Sequence, residues 1–288
     1  MRRSDPQLSQ LNVASLGPRI ADGRTAEVFE IDEERVLKLL RPGFPPRIAA
    51  HEAAVADIVS AVYPGAPRYL GMAQVGRRTG ITFERVDGRT MDSIVREHPW
   101  RLRRLAQRLG ELHATIHGAD GSGLIDQRQA LLAAIGEAPS DLPVAVRDAA
   151  VGRIEGLPTG SSLCHGDLHP GNVILGPTRV VIIDWGNAQA GNPIADVARS
   201  LYLMRDTPMH EPRIMRPIVA AIRARFAAEY LARYRQLRPL DAVELQAWRF
   251  PILVARLAEN IEDERDGLRS AIAREVAALP APGLQPRG

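Results

Sequence analysis

Asp167 and Asn172 stand five residues apart in C164-HGDLHPGN-V173, and Asp184 follows in I182-IDWG-N187. Pro170 and Gly171 keep the first segment in a loop, so the Asp167 carboxylate is committed to neither helix nor sheet. Asn172 adds an uncharged amide oxygen. The stretches VIL (173–175) and RVVII (179–183), joined by a GPT turn, predict a β-hairpin. Such a hairpin returns the chain to the edge it left and delivers a second carboxylate, Asp184. Two carboxylates and an amide oxygen at one sheet edge form a hard-oxygen site suited to Mg²⁺.

A fourth group is marked by composition. Of the 37 Lys and Arg residues, 36 are arginine and one is lysine, Lys38. A chain that otherwise uses arginine keeps an ammonium where a compact point charge is needed and a planar fork is not tolerated. Lys38 lies within the β-favouring run RVLKLL (35–40). In the following segment Ile48, Val55, Val59 and Val62 share one helical stripe, and Glu52 falls in it. A carboxylate on a buried face requires a cation. Lys38 is the expected partner, with pairing to Arg47 or exposure at the rim of the stripe as the alternative.

The elements that must position these groups follow from periodicity. AEVFEI (26–31) and RVLKLL (35–40) predict a hairpin, residues 45–63 a helix stopped at Pro64, and PRYLGMAQV (67–75) with GITFERV (80–86) a second hairpin. Beyond Asp87-Gly88 the pattern turns helical over 89–117, with short helices at 126–136 and 143–155. Strand and loop fill 161–186, and helices fill 194–204 and 212–278. The expected organisation is a strand-rich segment 1–87, a short connector, and a mainly helical segment 88–288 whose last ten residues fray.

Together these motifs resemble the catalytic half of the protein-kinase-like superfamily, in which an H-R-D-x-x-x-x-N loop precedes D-F-G. Here His165-Gly166-Asp167 leads to Asn172, and Asp184-Trp185-Gly186 follows. Glycine for arginine and tryptophan for phenylalanine are similar to the aminoglycoside phosphotransferase and choline kinase branch, as is the continuation to Asp196. The resemblance spans roughly residues 20–205. It implies an α+β, bilobal protein-kinase-like fold, with a small antiparallel-sheet N-terminal lobe that binds nucleotide and a larger helical lobe that carries the catalytic loop and the acceptor site.

The resemblance also implies roles. Mg·ATP, or GTP, is the phosphoryl donor. Lys38, held by Glu52, positions phosphates. The turn ADGRTAEVF (21–29) contributes backbone amides of Gly23–Ala26 and the Thr25 hydroxyl, although it has one glycine where kinases have three. Glu84 and Val86 bond adenine through their backbones, with Phe83 behind it. Asn172 and Asp184 hold Mg²⁺, Asp167 accepts or orients the proton of the acceptor hydroxyl, and Asp196 braces the catalytic loop. Asn192 stands where the branch commonly has aspartate, which implies a changed turn and retained activity. The acceptor class is a hydroxylated small molecule: an aminoglycoside or related antibiotic, with the attendant possibility of antibiotic resistance, or a macrolide, amine or sugar.

Other classes are constrained by composition. Hydrophobic residues make up 45% and charged residues 25%, as in an ordinary soluble protein, and no apolar run is long enough to span a bilayer. The N-terminal residues do not form a secretory signal, and one cysteine, Cys164, precludes an internal disulfide. The expected compartment is the cytoplasm. The net charge of +3 is small, and Arg101, Arg103, Arg104 and Arg108 oppose an apolar face of Leu105, Leu109, Leu112 and Ile116. That face predicts a solvated helix and no nucleic-acid partner. Two rival readings remain. His113 and His117, with His165 and His169, could form a zinc-hydrolase site, although His113 is not followed by the glutamate of H-E-x-x-H. The chain could also be a nucleotide-binding pseudokinase regulator, which the complete set Lys38, Glu52, Asp167, Asn172 and Asp184 opposes. The acidic stretch ENIEDERD (259–266) either lines an acceptor cleft or is a solvated helix near Arg256 and Arg265.

Overall fold

The computed structural model describes residues 9–11, 16–208 and 212–278. The expected frayed tail, 279–288, lies outside them. Compactness divides the chain into two units. One contains the chain up to Leu105 together with His165–Ala188, and the other contains Ala106–Cys164 and the chain from Gln189 onward.

In the first unit, strands β1 (Ser9–Leu11), β2 (Arg19–Asp22), β3 (Ala26–Glu30) and β4 (Arg35–Leu40) precede helix α1 (Pro46–Val62). Strands β5 (Tyr69–Val75), β6 (Arg78–Glu84) and β7 (Arg89–Thr90) and helix α2 (Met91–Glu97) follow. Six strands form one sheet in the order β1-β5-β6-β4-β3-β2. All its pairs are antiparallel except β1 with β5, so the sheet is mixed and not purely antiparallel as expected. Side chains alternate along β4. Leu37 and Leu39 are buried with Ala73 and Val75 on one face, while Leu40 packs with Ala26, Ile81 and α1 residues Ala49 and Ala53 on the other. Lys38 shares the α1 face. Helix α1 begins with proline in its first turn and ends where Tyr63, ahead of Pro64, turns extended (φ −130°, ψ 104°). Its stripe is shorter than the sequence predicts: Val55 and Val59 are buried, but Val62 is 40% exposed.

Helix α3 (Leu102–Ile116) runs from the first unit into the second. Its face of Leu105, Leu109, Leu112 and Ile116 is buried, as its period requires. Then come α4 (Gln127–Gly136), α5 (Val144–Glu155) and β8 (Ser162–Cys164). Strands β9 (Val173–Leu175) and β10 (Val180–Ile182) form the expected hairpin and belong to the first unit, where β9 also pairs with β7. Gly88 connects β6 to β7 at φ +154°, where a Cβ would lie 2.6 Å from the Leu175 carbonyl oxygen. Strand β11 (Gln189–Gly191) pairs with β8 and leads into α6 (Pro193–Arg205), α7 (Arg216–Leu237), α8 (Ala242–Leu257) and α9 (Glu262–Ala277). The helical stretch predicted over 212–278 is thus three helices. Helix α8 is buried from Trp248 to Leu257 apart from the half-buried Arg249, and packs against α4, α5, α6 and α9. Among the described residues no helix is long and apolar enough to cross a membrane.

Candidate active site

Lys38 leaves the middle of β4 on the face covered by α1, and Glu52 meets it from that helix. Lys38 Nζ lies 2.5 Å from Glu52 Oε1 and 2.8 Å from Asp184 Oδ1. The alternative pairing of Glu52 with Arg47 is not the one formed. Burial works against the ammonium, but Glu52 and Asp184 outweigh it and hold the Lys38 pKa above its ordinary value. Desolvation likewise pushes Asp184 up, yet Lys38 dominates and holds that carboxyl below the usual range. The carboxylate of Asp184 remains 48% exposed.

Asp184 has a backbone that few non-glycine residues adopt, φ 63° and ψ 58°. Left-handed geometry costs a residue with a Cβ about 1 kcal/mol. The surroundings enforce it. Trp185, the next residue, is buried, donates from Nε1 to the Ile182 carbonyl at 2.7 Å, and packs against His165 (4.4 Å) and Tyr63 (5.4 Å).

The loop bearing Asp167 is fixed by side chains that bond backbone. His165 Nδ1 accepts the Asp167 N–H at 3.1 Å, which leaves Nε2 to carry the ring proton and donate to the Ile183 carbonyl at 3.1 Å. One imidazole therefore ties the Asp167 loop to the residue before Asp184. Asn172 donates from Nδ2 to the Asp167 carbonyl at 3.0 Å and lies 3.4 Å from Asp167 Oδ2, while the Ile183 N–H donates to the Asn172 carbonyl at 2.9 Å. Gly166 makes this close approach feasible. Its φ is +75°, and a Cβ there would lie 2.2 Å from the Asn187 carbonyl oxygen. No side chain fits, which explains why glycine stands at this place.

The other expected nucleotide contacts lie along the same strands. Thr25 adjoins the end of β3 at which Ala26 pairs with Leu40, and Phe83 and Glu84 pair with Val36 and Arg35 at the other end of β4. Lys38 lies between. The Gly23 N–H already donates to the Ala26 carbonyl at 2.9 Å, so that amide is engaged within the turn. The Glu84 N–H donates to the Arg68 carbonyl, and its carboxylate accepts from Arg179 at 2.5 Å and from the Arg68 N–H at 2.8 Å. Phe83 borders the α1-face core and meets Tyr69 edge-on at 6.4 Å. Val28 and Val36, half-buried on the Lys38 face, were not singled out in the sequence. The alternation of β3 and β4 about Lys38 is the signal that finds them.

The histidines considered for zinc are otherwise engaged. His113 Nδ1 meets the Tyr230 hydroxyl at 2.6 Å and its Nε2 meets Asp196 Oδ2 at 3.1 Å. His117 meets Tyr234 at 2.7 Å and the same Oδ2 at 3.2 Å. His113, His117 and Asp196 offer three donor atoms within 4.8 Å of one another, but each atom already has a protein partner and all three residues are buried. Burial, with His113 alongside, pushes the His117 pKa down to about 3. Burial also acts to raise Asp196, but hydrogen bonds from both imidazoles hold it well below the ordinary carboxylate value. Both ring nitrogens of His165 are taken as well. The zinc reading is left without a ligand set. The Cys164 thiol is buried and pushed up by desolvation, which makes it an inert packing group.

Two of the five acids of the 259–266 stretch are tied inward, while Glu262, Asp263 and Asp266 are exposed. Glu264 accepts from Arg256 Nε and Nη2, each at 2.8 Å, and from the Tyr202 hydroxyl at 2.9 Å. Glu259 pairs with Arg199 at 2.7 Å and Arg256 at 2.5 Å. Asn192 caps α6 by accepting the Ile194 N–H at 2.8 Å, and its Nδ2 donates to the Pro158 carbonyl and to Glu244. The amide supplies donors that an aspartate lacks.

A lysine between two carboxylates, beside an Asp–Asn loop tied to the segment that bears Asp184, is the pattern expected of a phosphoryl-transfer enzyme. The model of the phosphotransferase enzyme family matches residues 17–243. The chain belongs to that family. No curated protein matches it. Among solved structures this phosphotransferase is similar to an aminoglycoside-3′-phosphotransferase of type VIII, at 18% identity over 84% of this chain and 94% of that one, with a TM-score of 0.57. It is also similar to an amicoumacin kinase in complex with AMP-PNP and Ca²⁺ (16%, 93% and 88%, TM-score 0.58). A choline/ethanolamine kinase family protein from Mesorhizobium loti is a third (17%, 94% and 90%, TM-score 0.54). These likenesses show the α+β protein-kinase-like fold, and with the family they make the chain a small-molecule kinase.

Proposed function

We propose that the chain transfers the γ-phosphoryl group of Mg·ATP or Mg·GTP to a hydroxyl of a small molecule. The observation that carries this reading is the ion cluster in which Lys38 Nζ bonds Glu52 and Asp184 together. A pseudokinase regulator has no need of the complete set.

The donor set fits a hard divalent cation. Asp184 keeps a half-exposed carboxylate, and Asn172, with its amide nitrogen turned to the Asp167 carbonyl, keeps its oxygen for a further contact. Magnesium, when bound by Asn172 and Asp184, would neutralise charge on the phosphates. Lys38 binds phosphate oxygens, and Glu52 keeps its ammonium oriented. The Thr25 hydroxyl adds a further phosphate contact. Val28, Val36 and Phe83 provide an apolar surface for the purine, whose edge bonds the Glu84 carbonyl and the Val86 backbone. Asp167 orients the acceptor hydroxyl and takes its proton as the oxygen–phosphorus bond forms. Most of the rate derives from positioning and electrostatics, because the transition state is loose.

The solved relatives act on aminoglycosides and amicoumacin by their names, which places such antibiotics first among acceptors to test. The internal pairing of Glu259 and Glu264 removes two of the five acids of the 259–266 stretch from any role in holding a polycation, and so brings neutral hydroxylated acceptors level with aminoglycosides. The lone buried thiol agrees with work in a reducing cytoplasm. The test is nucleotide consumption with Mg²⁺ and ATP or GTP, screened over aminoglycosides, macrolides, choline-like amines and sugars. The reading requires nucleotide-dependent phosphorylation of one class. Failure to bind either nucleotide in a calorimeter overturns it.

A further inference from the structure

The turn that joins β2 to β3 hangs from the edge of the sheet. Strand β2 pairs with β3 alone, and all four of its residues are exposed. Arg41, one position past β4, reaches this turn across β3. Its backbone N–H donates to the Thr25 carbonyl at 2.9 Å, its Nε donates to the Gly23 carbonyl at 2.9 Å, and its Nη2 pairs with Asp22 Oδ1. Asp22 Oδ2 also lies 3.3 Å from Arg19 Nη1. In a closed four-residue turn the Gly23 carbonyl would take the N–H of Ala26. Among the described residues that bond is not made. Gly23 meets Ala26 only through the opposite pair, N–H to carbonyl at 2.9 Å, and its own carbonyl is drawn off by the guanidinium. On the other side, the bond from Arg41 to Thr25 makes those two a hydrogen-bonded pair, so Ala26 and Leu40, next along, form a non-hydrogen-bonded one. The Ala26 N–H is therefore bonded by neither neighbouring strand. The Thr25 N–H is likewise given to no carbonyl among the described turn and loop bonds.

We propose that Arg41 is a positioning residue for the nucleotide: by drawing off the Gly23 carbonyl and anchoring Asp22, its guanidinium holds the turn open, so that the successive N–H groups of Thr25 and Ala26 take oxygens of the donor's phosphates. The inference rests on the reading of this turn as a phosphate contact given above. Successive backbone N–H groups in a turn make a concavity suited to anions. The Ala26 N–H cannot serve the Gly23 carbonyl and a phosphate at once, and the clamp decides that competition before nucleotide arrives, so less ordering is left to binding. It also accounts for a turn with one glycine where kinases have three. What backbone freedom supplies there, a fixed side chain supplies here. The two acceptors, a carbonyl and a carboxylate, are met by two nitrogens of one planar fork, which a lysine does not offer.

Arg41→Ala removes the clamp, Arg41→Lys keeps its charge without the fork, and adenosine is the nucleotide without its phosphates. Binding of Mg·ATP and of adenosine is measured by calorimetry, by displacement where it is weak, with Mg·GTP and guanosine in their place if the wild type prefers guanine. Arg41→Ala should raise the Kd of Mg·ATP about tenfold and leave that of adenosine within about twofold. Its melting temperature should stay within about 3 °C of wild type, because the ion pair with Asp22 is exposed. Arg41→Lys should remain about threefold or more weaker than the wild type for Mg·ATP, which separates the clamp from simple attraction of a cation for phosphate. Wild-type affinity for Mg·ATP in Arg41→Ala, an equal loss for adenosine, or full recovery in Arg41→Lys overturns the proposal while the site assignment stands. A wild type that binds neither ATP nor GTP overturns the site assignment, and this inference with it.

Discussion

Asp184 and Asp196 are both aspartates next to cationic or imidazole groups, and they do opposite work. Asp196 is fully buried, and its Oδ2 is shared by two imidazoles whose other nitrogens bond Tyr230 and Tyr234. Both nitrogens of each imidazole, the two tyrosine hydroxyls and the shared carboxylate oxygen are hydrogen-bonded, and the backbone is plain helix. Asp184 is half-exposed, sits in left-handed backbone, and bonds a lysine that also bonds Glu52. Satisfied, unstrained and buried describes a framework. Strained, half-exposed and partly unsatisfied describes a place kept ready for a ligand.

The largest effect should come from Asp167, the proposed proton acceptor. Asp167→Asn should lower kcat by roughly 10²–10⁴ while nucleotide affinity, measured by calorimetry, is largely kept. Undiminished turnover would remove Asp167 from its role. The contrast between the two aspartates can be broken directly. Asp184→Gly relieves the left-handed strain as it removes the carboxylate proposed to hold the metal, so activity should vanish while unfolding free energy stays within about 1 kcal/mol of wild type. Asp196→Asn should do the reverse at the level of the fold. It turns an amide against a buried imidazole N–H and should cost about 3 kcal/mol, read from urea unfolding. Equal loss of stability in both variants would show that the two aspartates serve the fold alike. Gly166→Ala tests the loop itself. A methyl group in left-handed backbone against the Asn187 carbonyl should cost roughly 2–4 kcal/mol and reduce turnover with it.

The smallest effect is in pH. His117 titrates at about 3 in the folded chain because burial disfavours its cation, and near 6.5 once unfolded. Between those values the unfolded chain binds the extra proton, so stability rises with pH across this window and falls as the solution is acidified. The loss from His117 alone should be about 2 kcal/mol between pH 6.5 and 4.5. His117→Gln should flatten the profile by that amount, and an unchanged slope would contradict it.

Much of the site was legible because its residues are conspicuous in one dimension. Lys38 is the only lysine, Glu52 interrupts an apolar stripe, and Asp167, Asn172 and Asp184 fall at loop and hairpin positions that local propensity sets. What was hidden depends on partners far along the chain. Nothing near 259–266 announces Arg199 or Tyr202, which bind its glutamates from more than fifty residues away. His113 and His117 have metal-ligand spacing, and only the arrival of Tyr230, Tyr234 and Asp196 makes them a closed network. The parallel pairing of β1 with β5 joins residues separated by some sixty positions, beyond what periodicity reports. The helix ends over 212–278 were blurred because helical residues run up to Pro239 and Asn260 with few breaks.

The solitary lysine has a practical side. Reagents that acylate, methylate or cross-link ε-amines find a single address in this protein, and two carboxylates guard it within the fold. Lysine-to-lysine cross-linking within one chain is ruled out. Any change in how readily that ε-amine reacts, on adding nucleotide or metal, would therefore report on one side chain, without the background that other lysines contribute.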